Sequence, residues 1–389
     1  MNLGCLKTIY CVSLLNPFSS FVQITRADVF GKCYHRFKRN ISSNVSGPPW
    51  RIIFFGTDEF ALKSVQPLCA KLRTGTLMSD LAIVSRPGSV VRAFAEDEKL
   101  PVIEWPFNHS VIENKFDLGI VVSFGHLIPK EIISAIPLGI LNVHGSLLPR
   151  WRGAAPILYA VMNADPETGV TIMKIEPHKF DTGSIVRQYR CPVAPNETTP
   201  QLTDRLAVQG ARLLMECVRD LPRCLEMAAP QSDDGITYAP RVTMKLSYVN
   251  WTTMGAKQVY DLHRAISHLY SLTTSWHGIQ TRLLDIKLDP TTSASSPKTV
   301  SESSKQSALD FLNSPTEPST TPRYFIDTSI SRPGTIFYNK LNRTMKIQCG
   351  DGLCVSCGGV RMGGKNFISP HDFYNGYLTK VKKTEWYFT

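Results

Sequence analysis

Apolar residues follow two alternating rhythms along this chain. Residues 51–55 (RIIFF) form a β-branched and aromatic run ending at Gly56, the pattern of a strand. Immediately afterwards Phe60, Ala61, Val65 and Leu68 recur at helical spacing, predicting a helix over 58–72. The same two rhythms repeat: strands at 81–85, 101–104, 117–123 and 138–143, and helices at 90–98, 129–135 and 153–163. Strands at 170–175 and 184–192 come next, the second rich in polar residues and expected at an edge. A long amphipathic helix follows at 202–221. Strands alternating with helices predict an α/β fold built on a doubly wound, mostly parallel sheet.

From Thr237 the character changes. A connector leads into a short helix at 254–267, and residues 290–322 are dominated by Ser, Thr and Pro. Such a tract buries too little apolar area to offset its ordering entropy, so it is expected to be a disordered insertion. Beyond it, short strands separated by Gly turns predict a small C-terminal β-barrel. The expected division is a leader at 1–47, a catalytic domain at 48–236, a linker at 237–260 and the barrel at 261–389 around its insertion. A length of 389 residues accommodates this.

Charge adds a partner. The formal net charge of +11 calls for an anionic one, nucleic acid first and anionic membrane second. Residues 331–389 carry nine Lys or Arg against three acids, and a basic barrel is a common grip for a nucleic-acid backbone. No uninterrupted apolar run reaches the roughly 18 residues of a membrane-spanning helix. The first 47 residues hold six Lys or Arg against Asp28 alone and are rich in Ser, as organellar transit peptides are. A secretory signal is the rival, but its apolar run at 11–18 is short and contains Pro17. The ten cysteines are scattered, which favours a reducing compartment. Cys349, Cys354 and Cys357, with His371 further on, lack a complete second ligand pair for zinc, so they are expected to be free thiols. A single glycine after the first strand excludes the three-glycine dinucleotide fingerprint.

The candidate chemistry lies at 142–156, NVHGSLLPRWRGAAP, after two apolar runs that read as buried strands. Polar groups at the carboxyl ends of parallel strands are where open α/β sheets place ligands. Asn142 and His144 are two apart on an extended segment, so their side chains point the same way and can address one oxygen. Asp181 opens the turn before a later strand and can reach the imidazole from the side, favouring its cationic form. An imidazolium beside an amide N–H makes an oxyanion pair for acyl transfer. With an amine as acceptor, no serine or cysteine nucleophile is needed.

At these residues the chain resembles the methionyl-tRNA formyltransferases, a branch of the folate-dependent formyltransferases. The resemblance runs from about residue 51 to the end, interrupted by the insertion. It is carried by FFGTDEFAL (54–62), FGHLIP (124–129), LNVHGSLLPRWRGAAPI (141–157), FDTGSI (180–185) and RPGTI (332–336). The long block is specific for formyl transfer and less so for tRNA, because enzymes acting on sugar amines share it. The resemblance implies a formyltransferase-type fold, 10-formyltetrahydrofolate as donor and no metal. It implies initiator methionyl-tRNA as acceptor and a monomer in the mitochondrial matrix, without membrane association. Asn142, His144 and Asp181 match the family's catalytic trio. Contacts to the folate are implied for Phe124, Gly125, His126, Leu127, Gly145, Ser146, Leu147, Leu148, Pro149, Thr182 and Gly183.

For tRNA, the resemblance points to Arg86, Arg92, Arg150, Arg152, Lys380, Lys382 and Lys383. Bacterial members have a long basic loop after the second strand; here VSRPGSVVRAFAE (84–96) is shorter, with Arg86 and Arg92 as its cations. Phe124 stands where many relatives have Tyr, which implies a packing ring. Arg150 and Arg152 either face the acceptor or anchor their loop. The alternatives are a folate-dependent transferase acting on another amine, a formyl-folate hydrolase, and a non-catalytic RNA-binding relative.

Overall fold

The computed structural model describes residues 47–289 and 332–389; the leader through Ser46 and the Ser/Thr/Pro tract at 290–322 lie outside them. The first part runs β1 (Trp50–Gly56), α1 (Glu59–Leu72), β2 (Met78–Val84), α2 (Val90–Asp97), β3 (Val102–Ile103), β4 (Leu118–Val122), α3 (Lys130–Ser134) and β5 (Ile140–His144). It continues through α4 (Pro156–Met162), β6 (Glu167–Lys174), β7 (Ile185–Pro192), α5 (Thr199–Arg219) and α6 (Arg223–Glu226).

Its seven strands form one sheet in the order β3-β2-β1-β4-β5-β6-β7. The first five are parallel, and β6 and β7 add two antiparallel pairings. The central strand β1 is covered on both faces, so Ile52, Ile53, Phe54 and Phe55 are all fully buried. Asp58 starts α1 by accepting the Ala61 N–H at 3.0 Å. The apolar stripe of α5, with Leu202, Leu206, Leu213, Leu214 and Val218, is buried at helical spacing and packs on α1. Chain order reverses between β1 and β4, and in open α/β sheets such a reversal marks the crevice at the carboxyl ends of the strands where ligands bind.

Several boundaries shift by up to three residues, and two of the shifts have a plain local cause. The strand expected at 101–104 is regular only at 102–103: Pro101 has no N–H and joins β2 only through its carbonyl, which accepts the Ile83 N–H at 2.8 Å, and β3 has a neighbour on one side only. The helix expected from 153 starts at Pro156, because Trp151 (φ +62°) and Gly153 (φ +124°) hold the preceding backbone away from a helix. Proline suits the new start, since the first helical N–H has no partner to lose.

The second part contains α7 (Ala256–Ile266), β8 (Leu272–Trp276), β9 (Ile279–Leu288), β10 (Ile336–Asn339), β11 (Thr344–Gln348), β12 (Cys354–Met362), β13 (Phe367–Ile368) and α8 (Pro370–Gly376). The strands make an antiparallel sheet in the order β10-β11-β12-β9-β8, with β13 beside β12. The chain's last residues touch both edges. Thr389 and Ser275 of β8 exchange two backbone hydrogen bonds of 2.8 and 2.9 Å. On the other side Ile336 N–H donates to the Trp386 carbonyl at 2.8 Å, and Phe388 N–H to that of Gly334 at 2.9 Å. Trp251, Trp276, Phe373 and Phe388 pack together inside.

The two parts meet where α7 packs on α4. Arg264, buried there, donates to Asp261 at 2.7 Å and to the Glu197 carbonyl at 2.8 Å, so its charge is paired. Cys349, Cys354 and Cys357 are free, buried thiols, pushed up to about 12, 11 and 12 respectively, chiefly by burial. His371 sits apart from them, against the Tyr338 hydroxyl at 2.9 Å and the Asn375 amide at 3.1 Å. Among the described residues no group of His, Cys, Asp and Glu is placed to hold a metal, and no helix is long and apolar enough to cross a membrane.

Candidate active site

Strand β5 ends in Asn142-Val143-His144, and its alternation sends Val143 into the core while Asn142 and His144 share the other face. Their cross-strand partners on β6 are Met173 and Thr171. Asp181 arrives from the turn between β6 and β7. It adopts φ +54°, a left-handed conformation unusual for a non-glycine residue, and is almost fully buried. Two residues on, Gly183 has no room for a side chain: a Cβ there falls 1.8 Å from the Lys174 carbonyl oxygen. The turn therefore lies flat against the end of β6.

The three groups converge on one oxygen. Asn142 Nδ2 lies 3.3 Å from Asp181 Oδ1, and His144 Nδ1 lies 3.6 Å from the same atom. The other carboxylate oxygen accepts the Gly153 N–H at 2.8 Å. His144 Nε2 is 2.9 Å from the Trp151 carbonyl, which can only accept, so the ring carries its hydrogen on Nε2. Nδ1 faces the Asp181 carboxylate. Both His144 and Asp181 are less than a tenth exposed, which strengthens charge interactions between them.

The loop from β5 to α4 is held from inside. Ser146 Oγ donates to the Arg150 carbonyl at 2.6 Å, and Thr171 Oγ1 donates to the Ser146 carbonyl at 2.7 Å. The Gln188 amide donates to the Leu148 carbonyl at 2.9 Å. Arg150 makes a two-pronged ion pair with Asp165, whose Oδ2 also accepts the Trp151 indole N–H at 2.7 Å. Arg152 places both Nε and Nη2 on Gln231 Oε1, at 3.1 and 2.7 Å. Its backbone pairs with Thr237 and Ala239, so the segment after Gln231 is laid against the loop. A Cβ on Gly153 falls 2.6 Å from the Ala239 carbonyl oxygen. Only glycine permits that approach.

These contacts sort the residues singled out from sequence. Asn142, His144 and Asp181 come together, though 39 positions separate the first from the last. Arg150 and Arg152 act as loop anchors. Gly145, Ser146 and Leu148 are buried, the last two shaping the loop from within with their side chains, while Leu147, Pro149 and Thr182 are half-exposed. Phe124 packs edge-on against Phe55 and Trp105, with centroids 5.4 and 5.2 Å away. Gly125, His126 and Leu127 are exposed just beyond β4. Because Val121 pairs with Asn142, these residues emerge on the same sheet edge as His144.

Of the remaining cations, Arg86 stands exposed after β2, whereas Arg92 is bound to Glu96 and Glu104 at 2.8 and 2.6 Å. Lys380, Lys382 and Lys383 are exposed on two short turns near the C-terminus. Gln231, Thr237 and Asp165 were not singled out from sequence. Nothing in the neighbourhood along the chain signals a partner 50 or more positions away for Gln231 or 86 for Thr237.

Comparison with known proteins bears on this arrangement. The formyl transferase family model matches residues 66–218, and the model of the formyl transferase C-terminal domain matches 241–378. The mitochondrial methionyl-tRNA formyltransferase of Homo sapiens is 36% identical over 339 residues, covering 85% of this chain and 78% of that protein. The Rattus norvegicus counterpart is 35% identical, covering 85% and 79%. A bacterial methionyl-tRNA formyltransferase, from Alcanivorax borkumensis, is 39% identical over 213 residues, covering 50% and 62%. Among solved structures, a sugar 3N-formyl transferase crystallised with dTDP and 5-N-formyl-THF superposes with a TM-score of 0.54 at 15% identity. It spans 82% of this chain and all of its own. At that identity the match speaks for the fold.

Proposed function

The chain belongs to the formyl transferase family, and we propose that it moves the formyl group of 10-formyltetrahydrofolate onto the α-amine of methionyl initiator tRNA in mitochondria. The observation that carries this reading is the meeting of Asn142, His144 and Asp181 at one oxygen beside the sheet's crevice. Relatives that match over most of the chain bear this activity in their names.

The folate donor supplies an activated formyl group. Its place is the crevice edge formed by exposed Gly125, His126 and Leu127 with half-exposed Thr182, where backbone groups are within a ligand's reach. As the amine adds, the formyl oxygen gains negative charge. The half-exposed Asn142 amide, whose second N–H is not directed at Asp181, donates to that oxygen, and the His144 imidazole lies beside it on the same strand face. Asp181 faces Nδ1 of the imidazole, orients the ring and receives the proton shed by the amine. A C–N bond forms to the acceptor, the bond to the folate nitrogen breaks, and the shed proton ends on that nitrogen.

The second part is read as a closed barrel that binds tRNA. The hydrogen bonds of residues 386–389 to both β8 and β10 support closure, and exposed Lys380, Lys382 and Lys383 support an anionic partner. The catalytic domain is taken as 48–236, the linker as 237–260 and the tRNA-binding domain as 261–389. The basic, acid-poor composition of 1–47 supports import into the matrix. Arg86 is the cation of the shortened loop best placed to meet the acceptor stem. The test is direct: incubate the protein with labelled 10-formyltetrahydrofolate and compare methionyl initiator tRNA, free methionine and a sugar amine. Label must appear on the tRNA well ahead of the other two; preferential labelling of the sugar amine overturns the acceptor assignment.

A further inference from the structure

Gln231 lies on the extended segment after α6, away from the β5 loop and the Asp181 turn in sequence, yet its side chain joins them. Its Nε2 donates to the carbonyls of Asp181 at 2.8 Å and Gly183 at 2.9 Å. Its Oε1 accepts both donors of Arg152 at 3.1 and 2.7 Å. All four hydrogen-bonding sites of the amide are thereby used. The next residue of the loop, Gly153, donates its N–H to Asp181 Oδ2 at 2.8 Å, closing a circuit from Arg152 through Gln231 and Asp181 back to the loop.

This circuit has a mechanical purpose. Asp181 holds φ +54°, a conformation that costs on the order of 1 kcal/mol and persists only when its surroundings over-determine it. The carboxylate must also stand where a few tenths of an ångström separate contact with the imidazole from none, since Oδ1 is 3.6 Å from Nδ1. Gln231 grips the backbone on both sides of Thr182, and so fixes where the Asp181 side chain starts. We infer that Gln231, itself anchored by Arg152, is a positioning residue that sets the Asp181 carboxylate against His144. The inference rests on the reading of Asp181 as the group that orients the imidazole.

Full-length Gln231→Ala and Gln231→Glu variants test it, alongside Asp181→Ala and the Gln231→Ala/Asp181→Ala double variant. Glutamate keeps the acceptor for Arg152 and the packing but removes the two N–H donors. Both Gln231 variants should lower single-turnover formylation by about ten- to a hundredfold, the scale of a displaced reacting group. KM for methionyl-tRNA should stay close to wild type, and circular dichroism should show both variants folded. In the Asp181→Ala background the Gln231→Ala change should cost less than about threefold, because its route of action is gone. Unchanged turnover in the glutamate variant overturns the inference, as does an equal loss with and without Asp181. Wild-type turnover in Asp181→Ala instead sinks the reading of the site on which the inference rests.

Discussion

The β5–α4 loop and the C-terminal turns both carry clustered cations, and they use them in opposite ways. In the loop, Arg150 closes on Asp165 and Arg152 on Gln231, so guanidinium donors are used to fix backbone. At the C-terminal turns, Lys380, Lys382 and Lys383 stand in solvent, where charge acts at a distance. Arginine's flat, forked donor set suits the first task, and lysine's compact charge on a flexible stem suits the second. A basic residue in this chain therefore carries no single meaning; its partner decides it.

Substitutions can break or sharpen that contrast. The largest effect should come from the centre the loop supports: His144→Ala and Asp181→Ala are each expected to lower turnover by at least about two orders of magnitude. Circular dichroism should show both still folded, and near wild-type turnover would remove them from the mechanism. Next comes Arg150→Ala, which leaves buried Asp165 without its cation. A loss of about 2 kcal/mol in stability by denaturant titration is expected, less than for a fully buried pair because the Arg150 side chain is 43% exposed. That loss should change little with salt.

Replacing Lys380, Lys382 and Lys383 together by Ala should do the reverse. Stability should hold, while tRNA affinity falls and the slope of log affinity against log salt shrinks by about three, roughly one per lost phosphate contact. An unchanged slope would move the tRNA surface elsewhere. The smallest effect is expected inside the same part of the molecule, at the thiols of Cys349, Cys354 and Cys357. Burial raises them from an ordinary 9.0 to about 12, 11 and 12, so the folded state holds their protons more tightly than the unfolded chain does. Their contribution is complete below about pH 9 and fades as pH climbs through 11 to 12. Melting temperatures across that range should decline less steeply in a variant with all three replaced by Ala; parallel curves would show that the thiols do not titrate in the transition.

Much of this molecule is written locally. The run 52–55 is apolar throughout because β1 is covered on both faces, and the i, i+4 stripe of α5 faces α1 for the same reason that helices show such stripes. Asn142 and His144 are two apart on a strand, so their common direction follows from strand geometry alone. Residue types and spacing thus determined the alternating α/β pattern and the common direction of Asn142 and His144. Folding decided the rest. Asp181 and Gln231 are turn and connector residues whose roles depend on the order in which strands assemble, with β6 returning antiparallel beside β5. Arg150 and Arg152 look like a nucleic-acid motif until Asp165 and Gln231 come into hydrogen-bond range. Hydrogen bonds and ion pairs act over about 3 Å, while those that Trp151 makes to Asp165 and Thr237 span 14 and 86 residues of chain. No local pattern encodes such a meeting; it appears only when the strands lie side by side.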